Sequence, residues 1–243
     1  MSALLDVKSL RKRYGGVVAV DDCSFAVAAG TVTGLIGPNG SGKTTVFNLV
    51  TGYARADSGA VTFDGVHVRR PSPALLARRG LIRTFQQARI FPQLTLVENL
   101  VLALPGSWWR FLRASIGRSE RARAEELLDE FGLGPHADIA AGELSYGQQK
   151  LLEFAATLMS RPKLVLLDEP TAGVNPVVVE RITGHVRRLN EQGLTFLVVE
   201  HDMNVVMRLC DPVIVLDRGA TIAEGKPHQV QRDLAVLDAY LGE

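Results

Sequence analysis

Apolar and polar positions along the chain change period twice. Residues 4–10, 17–20 and 23–27 are short apolar-rich runs with period-two character, which predicts half-buried strands. Asp21-Asp22 and Ala29-Gly30 supply the expected turns. A further run, 60–63, meets Asp64-Gly65 and resumes at 66–68, the signature of a hairpin. These segments predict a small antiparallel sheet. Between them the run 32–36 is apolar without alternation, and 44–50 reads as a helix.

From residue 71 to 160 the spacing becomes mostly helical. Residues 119–131 are charged on one side, with Leu127, Leu128 and Phe131 on the other, and Gly132 ends the pattern. Residues 145–160 place Leu151, Leu152, Ala155, Leu158 and Met159 at helical spacing. Ser145 followed by Gln148 fits a capping box, so this helix begins with its free N–H groups at a defined point. After Pro162 the apolar runs 164–167, 195–199 and 213–216 alternate with predicted helices at 177–190 and 202–209. Strands buried between helices predict a parallel sheet. The expected fold is therefore α/β: a parallel-sheet core with an antiparallel β subdomain (1–86 and 159–243), interrupted by a helical subdomain (87–158). The tail from residue 229 reads as one short helix.

The core's chemistry is carried by Gly37-Pro38-Asn39-Gly40-Ser41-Gly42-Lys43-Thr44, placed between the apolar run and the helix that follows. This is the strand–loop–helix setting of a phosphate-binding loop. Its glycines let consecutive N–H groups turn inward on an anion, and the helix N-terminus adds partial positive charge. Lys43 is placed to reach the β- and γ-phosphates, and the Thr44 hydroxyl to ligate Mg²⁺. The second half of the site follows a buried strand, where Asp168 and Glu169 arrive at the carboxyl edge of the sheet. Asp168 suits Mg²⁺, a hard cation that takes carboxylate oxygen. Glu169 suits the proton of a water in line with the γ-phosphate. His201 follows the next strand and should emerge at the same edge, to hydrogen-bond the γ-phosphate or hold the attacking water.

Composition narrows the partners. At 243 residues the chain can bury a large core, and a net charge of +1 gives no reason to expect nucleic acid, which normally selects a basic face. Cys23 and Cys210 form no close ligand pair, as expected of reduced cysteines in a cytosolic protein. The charged N-terminus is unlike a secretory signal, and no stretch of eighteen apolar residues is present to cross a membrane.

Leu144-Ser145-Tyr146-Gly147-Gln148 resembles the signature Leu-Ser-Gly-Gly-Gln of the ATP-binding subunits of ABC transporters, and the resemblance covers essentially the whole chain. It implies a P-loop NTPase (RecA-like) core whose cofactors are ATP and Mg²⁺. It also implies that Ser145, Gly147 and Gln148 bind the γ-phosphate of ATP held by a facing subunit. Gly37, Pro38, Asn39, Gly40, Ser41, Gly42, Lys43, Thr44 and Thr45 would hold the chain's own nucleotide. Gln86, after Arg83-Thr84-Phe85, resembles the glutamine that senses Mg²⁺ and water, with Gln87 as its competitor. Tyr14 sits where the family stacks an aromatic on adenine, and Ala172-Gly173-Val174-Asn175 resembles the loop that crosses the dimer interface. Tyr146 in place of a glycine and Asn175 in place of aspartate depart from the family pattern and bear on coupling between the two sites.

Leu-Ser-Tyr-Gly-Gln-Gln, Arg-Thr-Phe-Gln, the Glu200-His201-Asp202-Met203 run and the ending Ala239-Tyr240-Leu241-Gly242-Glu243 resemble the ATP-binding subunits of branched-chain amino-acid importers. Importers of urea, amides and aromatic acids use related subunits, and a lipopolysaccharide exporter's ATPase shares the ending. The resemblance implies transmembrane permease subunits as partners, with a second ATP-binding subunit (a paralogue favoured over a second copy). An external solute-binding protein would act indirectly, and the location would be the cytoplasmic face of the inner membrane. A soluble kinase or GTPase is the first rival, but no Asn-Lys-x-Asp guanine-reading segment is present. A non-transport ABC switch protein is the second; it would carry two cassettes or a long coiled coil. Residues 104–113, with Trp108 and Trp109 amid arginines, read as an insertion folded onto the helical lobe, against a contact with permease or lipid.

Overall fold

One six-stranded sheet divides the protein into two cores. The computed structural model describes residues 3–85, 87–104 and 116–241. The dividing sheet contains β3 (Val32–Ile36), β6 (Leu81–Arg83), β7 (Leu164–Asp168), β8 (Thr195–Val199), β9 (Val213–Asp217) and β10 (Ala220–Gly225), in the order β10-β9-β3-β8-β7-β6. Five of these strands run parallel and only β10 runs antiparallel, against β9. Their side chains alternate between the two cores. Leu35, Leu164, Leu166, Leu197, Val199 and Ile214 pack with the antiparallel sheet and with the helix Lys43–Val50. Ile36, Val165, Leu167, Phe196, Val198 and Val215 pack instead with the helical layer. Burial on both faces is why these strands read as uninterrupted apolar runs.

The second sheet has the order β2-β1-β4-β5, formed by β1 (Ala3–Tyr14), β2 (Val17–Ala28), β4 (Ser58–Phe63) and β5 (Val66–His67). The β4–β5 hairpin turns at Asp64 and Gly65, both with positive φ, as its sequence predicts. Asp21-Asp22 is a correction: β2 runs through it without turning. Asp22 takes a left-handed φ of 57°, opposite Arg11 where the register of β1 against β2 shifts. A bulge absorbs the extra residues while Val20↔Lys12 and Cys23↔Leu10 stay paired. Asp22 thus marks a left-handed backbone position without marking a strand end.

Two further expectations change. The region 71–160, expected to be mostly helical, also contributes Leu81–Arg83 as edge strand β6 on β7. Three residues are too few for any period to show. The tail forms two helices, Pro227–Val230 and Leu234–Leu241, the second begun by Asp233 Oδ1 accepting from Ala235 N at 2.9 Å. Helices Leu96–Leu102, Arg118–Glu130 and Tyr146–Leu158 occupy the segment between β6 and β7 and pack together over Leu100, Leu127, Leu128 and Leu151. No helix among the described residues is long and apolar enough to cross a membrane.

Candidate functional site

The carboxyl ends of β3, β8, β7 and β6 lie side by side, with Leu35 paired to Val199 and Val199 to Asp168. The phosphate loop leaves β3 through Gly37, at φ 150°, where a Cβ would stand 2.1 Å from Leu216 O. It enters its helix through Gly42, at φ 100°, where a Cβ would meet Ala19 O at 2.6 Å. Neither position admits a side chain. The helix Lys43–Val50 has no side-chain cap, since its N-cap is Gly42, so its first-turn N–H groups remain open to an anion. Lys43 folds back over the loop, its Nζ donating to Gly37 O at 2.7 Å and Pro38 O at 2.8 Å. Its charge thus sits over the concave backbone. Thr44 is exposed, Thr45 partly buried and Ser41 buried; Ser41 O accepts from Gly219 N at 2.9 Å, tying the loop to the turn after β9.

Asp168 and Glu169 emerge next to this loop, as expected. Asp168 is 5% exposed, and its backbone N–H donates to Thr84 Oγ1 at 3.2 Å. Glu169 adopts a left-handed φ of 47°, fixed by its N–H donating to Val199 O at 2.9 Å. That conformation costs on the order of 1 kcal/mol for a residue with a side chain and turns the carboxylate out of the strand's line. His201 reaches the same edge, its Nδ1 3.8 Å from Glu169 Oε2, and it is exposed. The phosphate loop, two carboxylates and an imidazole are therefore brought together by sheet topology. Oxygen donors from Thr44 and Asp168 fit Mg²⁺, a hard cation. Asp168 engages Arg83 through Oδ2 alone, which leaves Oδ1 to face a metal or its water. Tyr14 ends β1, half exposed, with the Lys12 ammonium 5.1 Å from its ring centre. Gln86 lies outside the described residues, as do Trp108 and Trp109; Gln87 is exposed.

Ser145, Gly147 and Gln148 are not on these strand ends. They form the tip of the Tyr146–Leu158 helix on the helical layer. The capping box is present: Gln148 N–H donates to Ser145 Oγ at 3.4 Å, and Ser145 N–H donates to Gln148 Oε1 at 3.0 Å. Gly147 is obligatory there because a Cβ would stand 2.7 Å from Val178 Cγ2 on the neighbouring Pro176–Glu191 helix. Asn175 caps that helix, its Oδ1 accepting from Val178 N at 3.0 Å. Asparagine caps as well as aspartate, so this departure keeps the loop's local geometry. Tyr146 lies against Gly173 of the same loop, 3.5 Å from where its Cβ would be.

Three buried charges beside the site carry no local signal in the sequence. Glu200, 1% exposed, accepts from Thr171 N at 3.0 Å and Thr171 Oγ1 at 2.6 Å, pinning the loop after Glu169 to β8. Lys150 and Glu153, one turn into the Tyr146–Leu158 helix, hold the segment around Gln86. Lys150 Nζ donates to Phe85 O at 3.2 Å, and Glu153 Oε1 accepts from Phe85 N at 3.2 Å and Arg89 N at 3.3 Å. Burial pushes the Glu153 carboxyl above its usual range and the Lys150 ammonium below its own. A capping box or a phosphate loop is a pattern of neighbours; these contacts join residues 29 to 68 apart.

Known proteins share this arrangement. A family model described as ABC transporter matches residues 20–172, and one described as branched-chain amino acid ATP-binding cassette transporter matches residues 220–243. Over 253 residues the chain is 39% identical to the high-affinity branched-chain amino acid transport ATP-binding protein BraF of Pseudomonas aeruginosa, covering 99% of this chain and 98% of that one. The similarly described LivG of Escherichia coli is 36% identical over 250 residues, with the same coverage. Among solved structures, the ADP conformation of an ATP-binding cassette of an ABC transporter superposes with a TM-score of 0.89 at 35% identity, covering 100% of both chains. A dimeric post-hydrolysis cassette bound to ADP and Pi superposes at 0.78 with 29% identity, covering 92% of this chain and 98% of that one. From its phosphate loop to its signature helix, the chain belongs to the ABC transporter family, as an ATP-binding cassette.

Proposed function

We propose that this cassette is the ATP-hydrolysing motor of an importer for branched-chain or other hydrophobic amino acids, working at the cytoplasmic face of the membrane. The observation that carries the reading is the pairing of Glu169 with His201 at the sheet edge that also holds the phosphate loop. Residues 37–45 cradle the phosphates of one ATP, with Lys43 on the β- and γ-groups and Tyr14 against the adenine. Thr44, Asp168 and Gln86 would hold Mg²⁺, which would supply neutralising positive charge to the phosphates. Water attacks the γ-phosphorus in line, its proton passing to Glu169, while the bond to the β–γ bridging oxygen breaks and ADP departs with that electron pair. His201 orients Glu169 and the γ-phosphate.

The tip at Ser145–Gln148, a helix N-terminus, closes on the ATP of a second cassette, a paralogue in preference to another copy. Closure carries the helical layer and the permease subunits with it. Cargo selection belongs to those subunits and an external solute-binding protein, as the resemblance to importer ATP-binding subunits implies. The test is Glu169→Gln, which should slow hydrolysis by about 10²–10⁴-fold while preserving ATP binding. Held with Mg·ATP and recovered from solubilised native membranes, this variant should bring permease chains and the second cassette with it. Near-normal turnover would remove Glu169 from its role, and recovery of soluble partners alone would remove the transport reading.

A further inference from the structure

Arg83, at the end of β6, is buried against the carboxylate assigned above to the metal. Its Nη2 donates to Asp168 Oδ2 at 2.7 Å, and the two side chains are 6% and 8% exposed. On the other side of the fork, Nη1 donates to Asn48 Oδ1 at 2.7 Å and to Thr51 Oγ1 at 3.3 Å. The rings of Phe47, Tyr53 and Phe85 lie 5.4, 5.7 and 5.2 Å from the guanidinium carbon. Its Nε is buried without a partner. Burying a charged pair rarely adds net stability, and an orphaned donor subtracts from it. Stability alone is a poor reason for this arrangement.

Geometry gives a better one. Asn48 lies four residues after Thr44, on the same face of the helix that starts at the phosphate loop. The guanidinium is planar and its two arms diverge at a fixed angle. One arm holds the helix that carries Thr44; the other holds Asp168. We infer that Arg83 is the positioning residue for the Mg²⁺ site, setting the spacing between Thr44 and Asp168 and committing Asp168 Oδ2 so that only Oδ1 is offered. The inference rests on the ATPase reading and deepens it. Lysine keeps the charge but, as a single point donor, cannot bridge both partners.

The experiment uses the full chain loaded with a non-hydrolysable ATP analogue. Mn²⁺ binding is followed by the loss of the free-ion paramagnetic resonance signal, and analogue binding is measured separately in EDTA. Arg83→Met and Arg83→Lys should each weaken Mn²⁺ binding by about 10-fold or more, the usual scale for outer-sphere partners of a metal site. Metal-free analogue affinity, which depends on the phosphate loop, should stay within about 3-fold. Asn48→Leu, which leaves the Arg83–Asp168 contact in place, should shift Mn²⁺ binding in the same direction by less. Unchanged Mn²⁺ affinity in the Arg83 variants would overturn the inference. So would equal losses in both measurements, or full rescue by lysine. Should Arg83→Met fail to fold, Arg83→Lys and Asn48→Leu decide by the same criteria. Failure of the unaltered protein to bind the analogue would instead overturn the ATPase reading, and the control shows it directly.

Discussion

Replacing Glu153 by leucine should release the segment that carries Gln86 while leaving the sheet intact. Glu153 Oε1 accepts from two backbone N–H groups, at Phe85 and Arg89, with donor–acceptor distances of 3.2 and 3.3 Å. Hydrogen bonds to a charged acceptor contribute about 1.5–3 kcal/mol at good geometry; at these lengths, with the donors only partly buried, about 1 kcal/mol each is appropriate. Their joint loss is about 2 kcal/mol, which corresponds to ~30-fold in a local opening equilibrium. Hydrogen exchange read by mass spectrometry on the intact protein measures that ratio. Protection at residues 85–89 should fall by about 30-fold in Glu153→Leu. Protection across β8 should not change. Glu153→Gln keeps an acceptor oxygen at the same place and should retain most of the protection, separating the hydrogen bonds from the charge. Unaltered exchange at 85–89 in the leucine variant would refute the reasoning. So would a matching loss across β8, which would mean that the whole fold had loosened.

Other consequences are simpler to measure. Gly147→Ala should destabilise the fold by about 1–3 kcal/mol, because the new methyl meets the stiff Val178 side chain at 2.7 Å. Denaturant unfolding of Gly147→Ala with Val178→Ala should show partial rescue, and strict additivity would deny the contact. His185 stacks on Phe131 with centroids 4.0 Å apart, and burial first, then Arg188 and Arg181, lowers its pKa from 6.5 to about 4. The unfolded chain therefore binds a proton between these values that the folded chain refuses, so stability falls as pH drops from 6.5 towards 4. In urea titrations across that window, His185→Phe should lose less stability than the unaltered protein; an equal or steeper loss would contradict the assignment. Burial pushes the Cys23 thiol up to about 11 and Cys210 to about 12. Both should resist iodoacetamide at pH 8 until the protein unfolds, and rapid labelling of the native state would contradict their burial.

The parts of the site legible in the sequence are those whose chemistry is local. Residues 37–45 need only their own backbone and the helix they start, and Ser145 with Gln148 needs only the spacing of three that a capping box uses. Even the placement of Asp168, Glu169 and His201 follows from one rule, that parallel strands deliver their ends to a common edge. Arg83, Lys150, Glu153 and Glu200 follow from no such rule. Each is a charge that becomes buried because of which strand or helix lies beside it. Asp21-Asp22 resembles a turn in the sequence for the same reason, since a bulge is defined by the partner strand that continues past it.

That division has a physical consequence for how the cassette works. The residues visible in the sequence are those proposed to hold phosphate, metal and water. The buried charges touch other parts of the protein: Arg83 joins β6 to the phosphate-loop helix and β7, Glu200 joins β8 to the loop after Glu169, and Lys150 with Glu153 joins the signature helix to the segment around Gln86. A hydrophobic contact between those elements would tolerate sliding, since apolar attraction has no direction. A hydrogen-bonded buried charge does not, because separating it from its partner leaves it unsolvated. Such joints make the moving elements travel as units. In the proposed motor the closing of a phosphate site is passed to a distant helix, and these four side chains would supply stiff connections for it.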